Sequence, residues 1–249
     1  MKIITIVGAR PQFIKAAMVS RAILSRNKMG SGLAIDEQII HTGQHFDHNM
    51  SEIFFDQMHI PIPVANLDIN GGTHGEMTGR MLAAIEAQFI TRNPDMVIVY
   101  GDTNSTLAGA LAAAKLNVPV AHVEAGLRSF NRRMPEEINR LITDHVASLL
   151  LCPTNAAVSN LAAEGISEGV RHVGDVLFDA AQTFGKIAES KSTILDDLGI
   201  TAGEYLLVTV HRAENTDDPF RLRRLIESFE QLSKDTSVVF LIHPRTRIK

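Results

Sequence analysis

Residues 2–12 read KIITIVGARPQ, an apolar run that ends at Gly8 and leads into a polar turn and a helical pattern. A short run rich in Ile and Val, followed by a glycine, is typical of a strand that enters a βα turn. The same order of strand, break and helix recurs along the chain. This alternation predicts an α/β protein with doubly wound parallel sheets whose strands are covered on both faces.

The first series of predicted elements forms one Rossmann-like domain over residues 1–168. Its strands are predicted at residues 2–7, 38–42, 96–100, 118–123 and 148–152. Its helices are predicted at residues 13–26, 51–58, 75–91, 105–116, 136–146 and 155–164.

A second, shorter series occupies residues 169–249 and predicts the first part of a second Rossmann-like domain. Its strands are predicted at residues 170–173, 205–209 and 237–242, with a helical stretch to about residue 198 and a helix at 219–234. A doubly wound domain has about five or six strands. We therefore expect the second domain to be incomplete in this sequence.

Charge and composition exclude several classes of partner. The 24 Lys and Arg residues against 28 Asp and Glu residues give a net charge of −4, so no basic field attracts nucleic acid. No apolar run approaches the roughly 20 residues that span a bilayer. The single cysteine, Cys152, cannot form an internal disulfide, and the chain begins directly with a strand pattern. We expect a cytoplasmic protein without membrane or nucleic-acid partners.

The turn after the first strand is a candidate phosphate site. Gly8 allows close approach of the backbone, the following helix N-terminus offers amide groups, and Arg10 and Lys15 add positive charge. The alternative is an ordinary strand-to-helix turn with both cations in solvent. The turn has neither the Gly-x-Gly-x-x-Gly nor the Walker spacing, which argues against NAD and ATP.

Three histidines lie at the end of the second predicted strand and just beyond it, at His41, His45 and His48. Because Gly43 interrupts the chain between them, the regular spacing that would hold a metal is not expected. Polar contact with a ligand is the favoured interpretation of this segment.

Acidic residues follow the next two strands. Asp102 and Thr103 come after residues 96–100, where capping of the next helix is the alternative role. Glu124 ends the apolar run 118–123, and an acid is costly to bury there without a partner. Arg128 or Arg140 is the expected partner.

Two further segments have both a structural and a functional interpretation. Pro135, Glu136 and Glu137 are residue types that a helix start prefers, although a site role is open. His211 and Arg212 follow the strand predicted at residues 205–209. A lone histidine there is more often structural, but the adjacent arginine favours function.

These motifs together resemble the non-hydrolysing UDP-N-acetylglucosamine 2-epimerases. The resemblance covers essentially the whole chain and implies two domains of the glycosyltransferase-B architecture. It implies acid, base or leaving-group roles for Asp102, Glu124, Glu136 and His211. It implies substrate contacts at Gly8, Arg10, Lys15, Gln44, His45, Arg140, Arg212 and Glu214. An allosteric second-substrate site is matched only in part, at Gln44, His45 and Glu137.

The resemblance also implies the chemistry. A hydrogen leaves carbon 2, UDP leaves carbon 1, and UDP returns after carbon 2 is reprotonated on its other face. Such a reaction needs neither a metal nor a redox cofactor. A UDP-sugar substrate, a homodimer and a role in surface polysaccharide synthesis are implied in the same way.

Four alternatives stay open from the sequence. Residues 71–75 and the Arg-rich loop 129–134 look more like the relatives that act on UDP-2,3-diacetamido-2,3-dideoxy-glucuronate. A glycosyltransferase of the same architecture and a hydrolysing epimerase are two more. The fourth is a sugar-nucleotide-binding fragment without turnover, because the stretch of the family that holds uridine and ribose is not found here.

Overall fold

The computed structural model describes residues 1–30, 32–44, 52–210, 213–242 and 246, with the backbone alone at residues 213 and 214. The chain divides into two compact units, Met1–Gly185 and Lys186–Lys249. No helix of the described part of the chain is long and apolar enough to cross a membrane.

The described residues of the first unit form a parallel sheet of seven strands. The strands are β1 (Lys2–Val7), β2 (Asp36–His41), β3 (Ala65–Asn66), β4 (Met96–Tyr100), β5 (Val120–Val123), β6 (Leu149–Cys152) and β7 (Val170–His172). Their spatial order is β3-β2-β1-β4-β5-β6-β7. The order reverses between β1 and β4, which is where doubly wound sheets place ligands. The α/β class with a parallel sheet, predicted from the sequence, is confirmed.

Helices cover both faces of this sheet. They are α1 (Arg10–Lys28), α2 (Glu52–Met58), α3 (His74–Arg92), α4 (Asn104–Lys115), α5 (Pro135–Val146), α6 (Asn155–Ala163) and α7 (Val176–Lys191), whose last residues pass into the second unit. Alternate residues of β1 serve the two faces, as the period of a strand requires. Ile4 and Ile6 pack with α3 and α4, whereas Ile3 and Val7 pack with Phe13 of α1.

Helix α4 packs directly against the sheet through small residues. Ala108, Ala110 and Ala113 are fully buried. A methyl group added at Gly109 would lie 3.1 Å from Ile6 and 3.2 Å from Val99. The close packing fixes the start of α4, and with it the turn that follows β4.

The second unit has a parallel pair of strands, β8 (Tyr205–Thr209) and β9 (Ser237–Leu241). Its helices are α8 (Ile194–Leu198), α9 (Ala213–Thr216) and α10 (Pro219–Leu232). The single helical stretch predicted up to residue 198 is wrong, because α7 ends at Lys191 and α8 begins separately at Ile194.

One strand pairs differently from the prediction. The strand at residue 170 was predicted to open the second domain, but β7 pairs in parallel with β6, with Leu150 opposite Val170. The predicted boundary after residue 168 thus precedes β7, whereas the compact units divide after Gly185. Strand β3 was not predicted, because a strand of two residues is too short to show an alternating pattern of apolar and polar residues.

Candidate active site

Three turns meet at the carboxyl edge of the sheet. They follow β1, β4 and β5, which are adjacent strands in the order β1-β4-β5. The turns are residues 8–12, 101–105 and 124–128. Because parallel strands end at a common edge, the polar residues that sequence placed after each strand are gathered within one region of the first unit.

Gln12 joins the first turn to the second. Its side-chain oxygen accepts hydrogen bonds from the amides of Gly8, at 2.8 Å, and Ala9, at 3.0 Å. Its amide nitrogen donates to the carbonyl of Tyr100 at 3.0 Å and to Thr106 Oγ1 at 3.0 Å. Two amides of the turn that was predicted to bind phosphate are therefore occupied within the protein. This contact was not anticipated from the sequence.

Gly8 is required for close packing rather than for an unusual backbone angle. A methyl group added there would collide with the hydroxyls of Thr42 and Ser105. Those two hydroxyls lie 2.8 Å apart, and Ser105 also donates to Gln44 Oε1 at 2.8 Å. The predicted site residue Gln44 is thus fixed beside the β1 turn. His45, predicted with it, lies outside the described residues.

Lys15 and Glu124 form an ion pair across the edge of the sheet. Only 5% of the Lys15 side chain and 18% of the Glu124 side chain are exposed. The predicted partners of Glu124, Arg128 and Arg140, are wrong. Lys15 faces Glu124 because it lies on the second turn of α1, above the end of β5, whereas both arginines pair elsewhere.

Glu124 has a backbone φ of +73°, which is strained for a residue with a side chain. Its amide donates to the Leu151 carbonyl at 3.0 Å. Gly101, with a φ of +62°, packs beside the carboxylate, and a methyl group there would lie 3.0 Å from both Glu124 Oε2 and Lys15 Nζ. The turn that carries Asp102 therefore packs directly against the carboxylate of Glu124.

Arg140 bridges two acids. It donates to Asp102 Oδ2 at 2.5 Å and to Glu137 Oε2 at 2.7 Å from Nη2 and 3.0 Å from Nε. Asp102 keeps about a third of its side chain exposed. Thr103 caps α4 by accepting from the Thr106 amide, so the predicted capping role falls to Thr103 while Asp102 holds the arginine.

Glu137 anchors the loop that precedes α5. It accepts hydrogen bonds from the amides of Ser129, at 2.9 Å, and Phe130, at 2.8 Å. Burial alone would raise the pKa of Glu137, but these amides and Arg140 together lower it to about 2. This anchoring of the loop by Glu137 was not predicted, although the i,i+3 spacing to Arg140 was a usable signal.

The remaining predicted site residues fall into two groups. Glu136 is exposed on the first turn of α5 and makes no hydrogen bond or ion pair with another described residue. His211 and Arg212 lie outside the described residues, as does the side chain of Glu214. Arg10 is half-buried in the first turn of α1.

A buried charge network supports the site from below. His122 donates to Asp144 at 2.6 Å and to the Gly101 carbonyl at 2.7 Å, and Arg128 pairs with Asp144 and Glu164 at 2.7 Å each.

The buried thiol of Cys152 is a poor nucleophile, because burial raises its pKa to about 11. Within the described residues, no cluster of three or more His, Cys, Asp or Glu side chains could hold a metal.

The family model described as UDP-N-acetylglucosamine 2-epimerase matches residues 28–249. The UDP-2,3-diacetamido-2,3-dideoxy-D-glucuronate 2-epimerase of Pseudomonas aeruginosa is 54% identical, over 99% of this chain and 68% of that protein. A UDP-N-acetylglucosamine 2-epimerase homolog of Methanococcus maripaludis is 52% identical, over 99% of this chain and 67% of that protein.

Solved structures give the same relationship. The UDP-GlcNAc 2-epimerase of Methanocaldococcus jannaschii, in complex with UDP-GlcNAc and UDP, has a TM-score of 0.89 and 46% identity, covering 100% of this chain and 67% of that one. The UDP-GlcNAc 2-epimerase of Neisseria meningitidis bound to UDP-GlcNAc has a TM-score of 0.86 and 29% identity, covering 100% and 68%. A lipopolysaccharide outer core galactosyltransferase, at 13% identity and a TM-score of 0.50, shares the fold alone.

Proposed function

The chain belongs to the UDP-N-acetylglucosamine 2-epimerase family, and we propose that it inverts carbon 2 of a UDP-linked 2-acetamido sugar. The observation that carries the proposal is the meeting of Glu124, Lys15 and the Gly101–Asp102 turn at the switch point of the sheet. A strained acid held there by a buried cation has no evident structural purpose.

The proposed reaction balances without a redox step. A base removes the hydrogen of carbon 2 while the bond between carbon 1 and the UDP oxygen breaks, which leaves a double bond between carbons 1 and 2. A proton then adds to carbon 2 on the opposite face, and the UDP oxygen forms its bond to carbon 1 again. Two faces require at least two acid or base groups.

Glu124 and Asp102 are the proposed acid and base, with Glu136 as a third carboxylate. Glu124 is oriented by Lys15, and Asp102 is oriented by Arg140 through one carboxylate oxygen. The cations that hold them also offset the negative charge that develops when UDP leaves. By family resemblance, His211 is also proposed as a catalytic residue, and the proposed substrate contacts are Arg212, Glu214, Gly8, Arg10, Gln44, His45 and Arg140.

UDP-N-acetylglucosamine is the proposed substrate, in keeping with the names and bound ligands of the related structures. A second candidate is UDP-2,3-diacetamido-2,3-dideoxy-glucuronate, which the 54% identical relative is named for. Arg132 and Arg133 are exposed in the loop before α5 and carry the charge that would suit a sugar carboxylate.

Architecture and assembly form the finer part of the proposal. Two Rossmann-like domains of glycosyltransferase-B type are proposed, with only part of the second contained in this sequence. This chain spans 67–68% of the length of the relatives at 46–54% identity, which supports that arrangement. A cytoplasmic homodimer that supplies polysaccharide precursors is proposed from the resemblance alone.

Proton NMR of the full chain in heavy water tests the proposal. Each nucleotide sugar is supplied separately, with no acceptor, and carbon 2 is watched for deuterium and for inversion. Exchange with inversion on either nucleotide is the expected result and identifies the substrate. Transfer that requires an acceptor would favour a glycosyltransferase, and release of free sugar and UDP would favour a hydrolysing epimerase.

Substitution then tests the residues. Glu124→Gln and Asp102→Asn are each expected to slow exchange at carbon 2 by about 100-fold or more. Glu168→Gln, at an exposed acid in the loop before β7, is the matched control and should exchange at the parent rate. Parent-like exchange in both site variants would overturn the assignment of the acids, while leaving the family relationship intact.

A further inference from the structure

His122, Asp144 and Arg128 form a charge network that is almost completely removed from solvent. His122 and Asp144 have no exposed side-chain surface, and the Arg128 side chain is 1% exposed. His122 contacts Asp144 through Nδ1 at 2.6 Å and the Gly101 carbonyl through Nε2 at 2.7 Å. Arg128 donates to the other oxygen of Asp144 at 2.7 Å.

Both ring nitrogens of His122 face acceptors. A carbonyl oxygen can only accept a hydrogen bond, so Nε2 donates to Gly101. Burial would raise the pKa of Asp144, but the hydrogen bonds from His122 and Arg128 lower it, so this acid is ionised. An ionised carboxylate is also only an acceptor, so Nδ1 donates to Asp144 while Nε2 donates to Gly101.

The two backbone groups that this network holds belong to the two turns of the proposed site. The Gly101 carbonyl immediately precedes Asp102 and is held through His122. The Gly126 amide lies two residues after Glu124 and donates directly to Asp144 Oδ2 at 3.0 Å. One carboxylate therefore reaches both turns, although their parent strands are separated in sequence by a whole helix.

Helix α5 supplies further contacts to the same turn. Asn139 donates to the Asp102 carbonyl at 2.8 Å, and Arg140 holds the Asp102 side chain. Asp144 lies four residues beyond Arg140, so these two side chains project from the same face of the helix. A buried ion pair is weak evidence for added stability, since desolvation costs as much as the attraction returns. The role of this buried network is therefore inferred from the backbone groups that it holds in place.

We propose that His122 and Asp144 are positioning residues that set the distance and orientation between the Asp102 turn and the Glu124 turn. This inference rests on the proposed function for its catalytic consequence, but its structural content is independent of activity. A displacement of about 1 Å between catalytic groups can lower a rate by about 100-fold. The network thus affects turnover rather than substrate binding.

The test compares four substitutions in the full chain. Asp144→Ala removes the contacts to both turns, whereas His122→Val removes the contacts to Gly101 and Asp144 but leaves the bond between Gly126 and Asp144 in place. Asp144→Asn is the conservative variant, because an amide oxygen can still accept from Gly126 and Arg128 while its nitrogen donates to a neutral imidazole. Glu164→Gln is the matched control, since Glu164 belongs to the same network but contacts Arg128 at the end of the third turn rather than residues 101–103 or 124–126.

Kinetics and backbone exchange are the two measurements. Asp144→Ala is expected to lower kcat by about 100-fold with KM changed by less than about twofold, and Asp144→Asn to recover most of that loss. Amide hydrogen exchange should accelerate at residues 101–103 and 124–126 in Asp144→Ala, but only at 101–103 in His122→Val. Glu164→Gln should leave kcat and exchange at both turns unchanged.

The outcomes that would contradict the positioning role differ from those that would contradict the proposed function. Equal kcat in Asp144→Ala and Glu164→Gln, or uniform acceleration of exchange across the sheet, would reduce the network to a structural role and overturn the proposal. If Asp144→Ala does not fold, His122→Val still decides through the exchange of one turn and not the other. If the parent chain inverts neither nucleotide, the proposed function fails, while the exchange pattern continues to test the positioning.

Discussion

Lys15 on α1 is paired with Glu124, a residue 109 positions away whose backbone lies in the left-handed region. Lys15 is 4% exposed, so the cation depends on this acid for compensation. The pair joins α1 to the third turn of the site and lies directly beside Gly101. A strained residue and a buried charge stabilise each other's position here.

Coupling between the pair is measurable by a double-mutant cycle. Lys15→Met and Glu124→Gln should each lower the free energy of unfolding, because each leaves a poorly solvated partner. The double variant should cost less than the sum of the two, with a coupling free energy of about 1–3 kcal/mol in urea denaturation. If the two single effects on the free energy of unfolding add to within about 0.5 kcal/mol, Lys15 and Glu124 are not energetically coupled.

Gly8→Ala should destabilise the protein much more than an alanine substitution at a glycine with open space around it. The added methyl group meets the hydroxyls of Thr42 and Ser105, and overpacking of this kind costs about 1–3 kcal/mol. Gly79→Ala is the comparison, because Gly79 lies in α3 with no atom within 4 Å of the added carbon. It should raise stability by about 0.5–1 kcal/mol. Thermal unfolding of both variants checks the difference, and similar effects at the two sites would refute it.

Glu137→Gln should lose stability in a pH-dependent way. The pKa of Glu137 is lowered from 4.5 to about 2, so the ionised acid contributes stability that is fully present above about pH 4.5. That contribution, about 3 kcal/mol, is lost as the pH falls toward 2.

The difference in unfolding free energy between Glu137→Gln and the parent should therefore be constant above about pH 6 and shrink between about pH 4.5 and 2. Denaturant titrations at several pH values measure it. Glu168→Gln, at an exposed acid, should show no such trend. If Glu137→Gln lowers the free energy of unfolding by the same amount at every pH, lost packing rather than lost charge accounts for the effect.

Phe130→Gly should stabilise the protein. Phe130 has a φ of +57° and is 79% exposed, so its side chain gains little from packing while its backbone carries a left-handed conformation. That conformation costs about 1–2 kcal/mol for a residue with a Cβ. Phe130→Ala retains the Cβ and serves as the control. A higher Tm for the glycine variant than for the alanine variant is expected, and equal values would show that no strain is stored there.

Local chemistry was enough to locate most elements. Strands β1, β4 and β8 begin and end at the predicted residues, because each is a short apolar run. Helix starts were also close, since Thr73 and Thr103 cap their helices and Pro135 opens α5. The prediction was weaker where an element is short or changes sheet partners, as β3 and β7 do.

The gathering of polar residues at one edge of the sheet was predictable, but their pairings were not. Asp102, Glu124 and Lys15 were chosen because polar residues at the ends of apolar strands share one edge of a parallel sheet. Their partners were not deducible, because an ion pair depends on distances between elements that sequence order does not contain. Arg128, the expected partner of Glu124, instead pairs with Asp144 and Glu164.

The sequence by itself determined the class of fold, the edge of the sheet at which polar residues gather, and the family. These follow from hydrophobic periodicity, turn chemistry and motif order, which are properties of neighbours along the chain. Only the tertiary structure decided that Glu124 is strained against Lys15, that Arg140 joins Asp102 to Glu137, and that His122 and Asp144 hold two turns together. Those relationships arise from packing between different segments of the chain. Because an unpaired buried charge is costly, each buried charge pairs with an opposite charge that the packing places within hydrogen-bond distance.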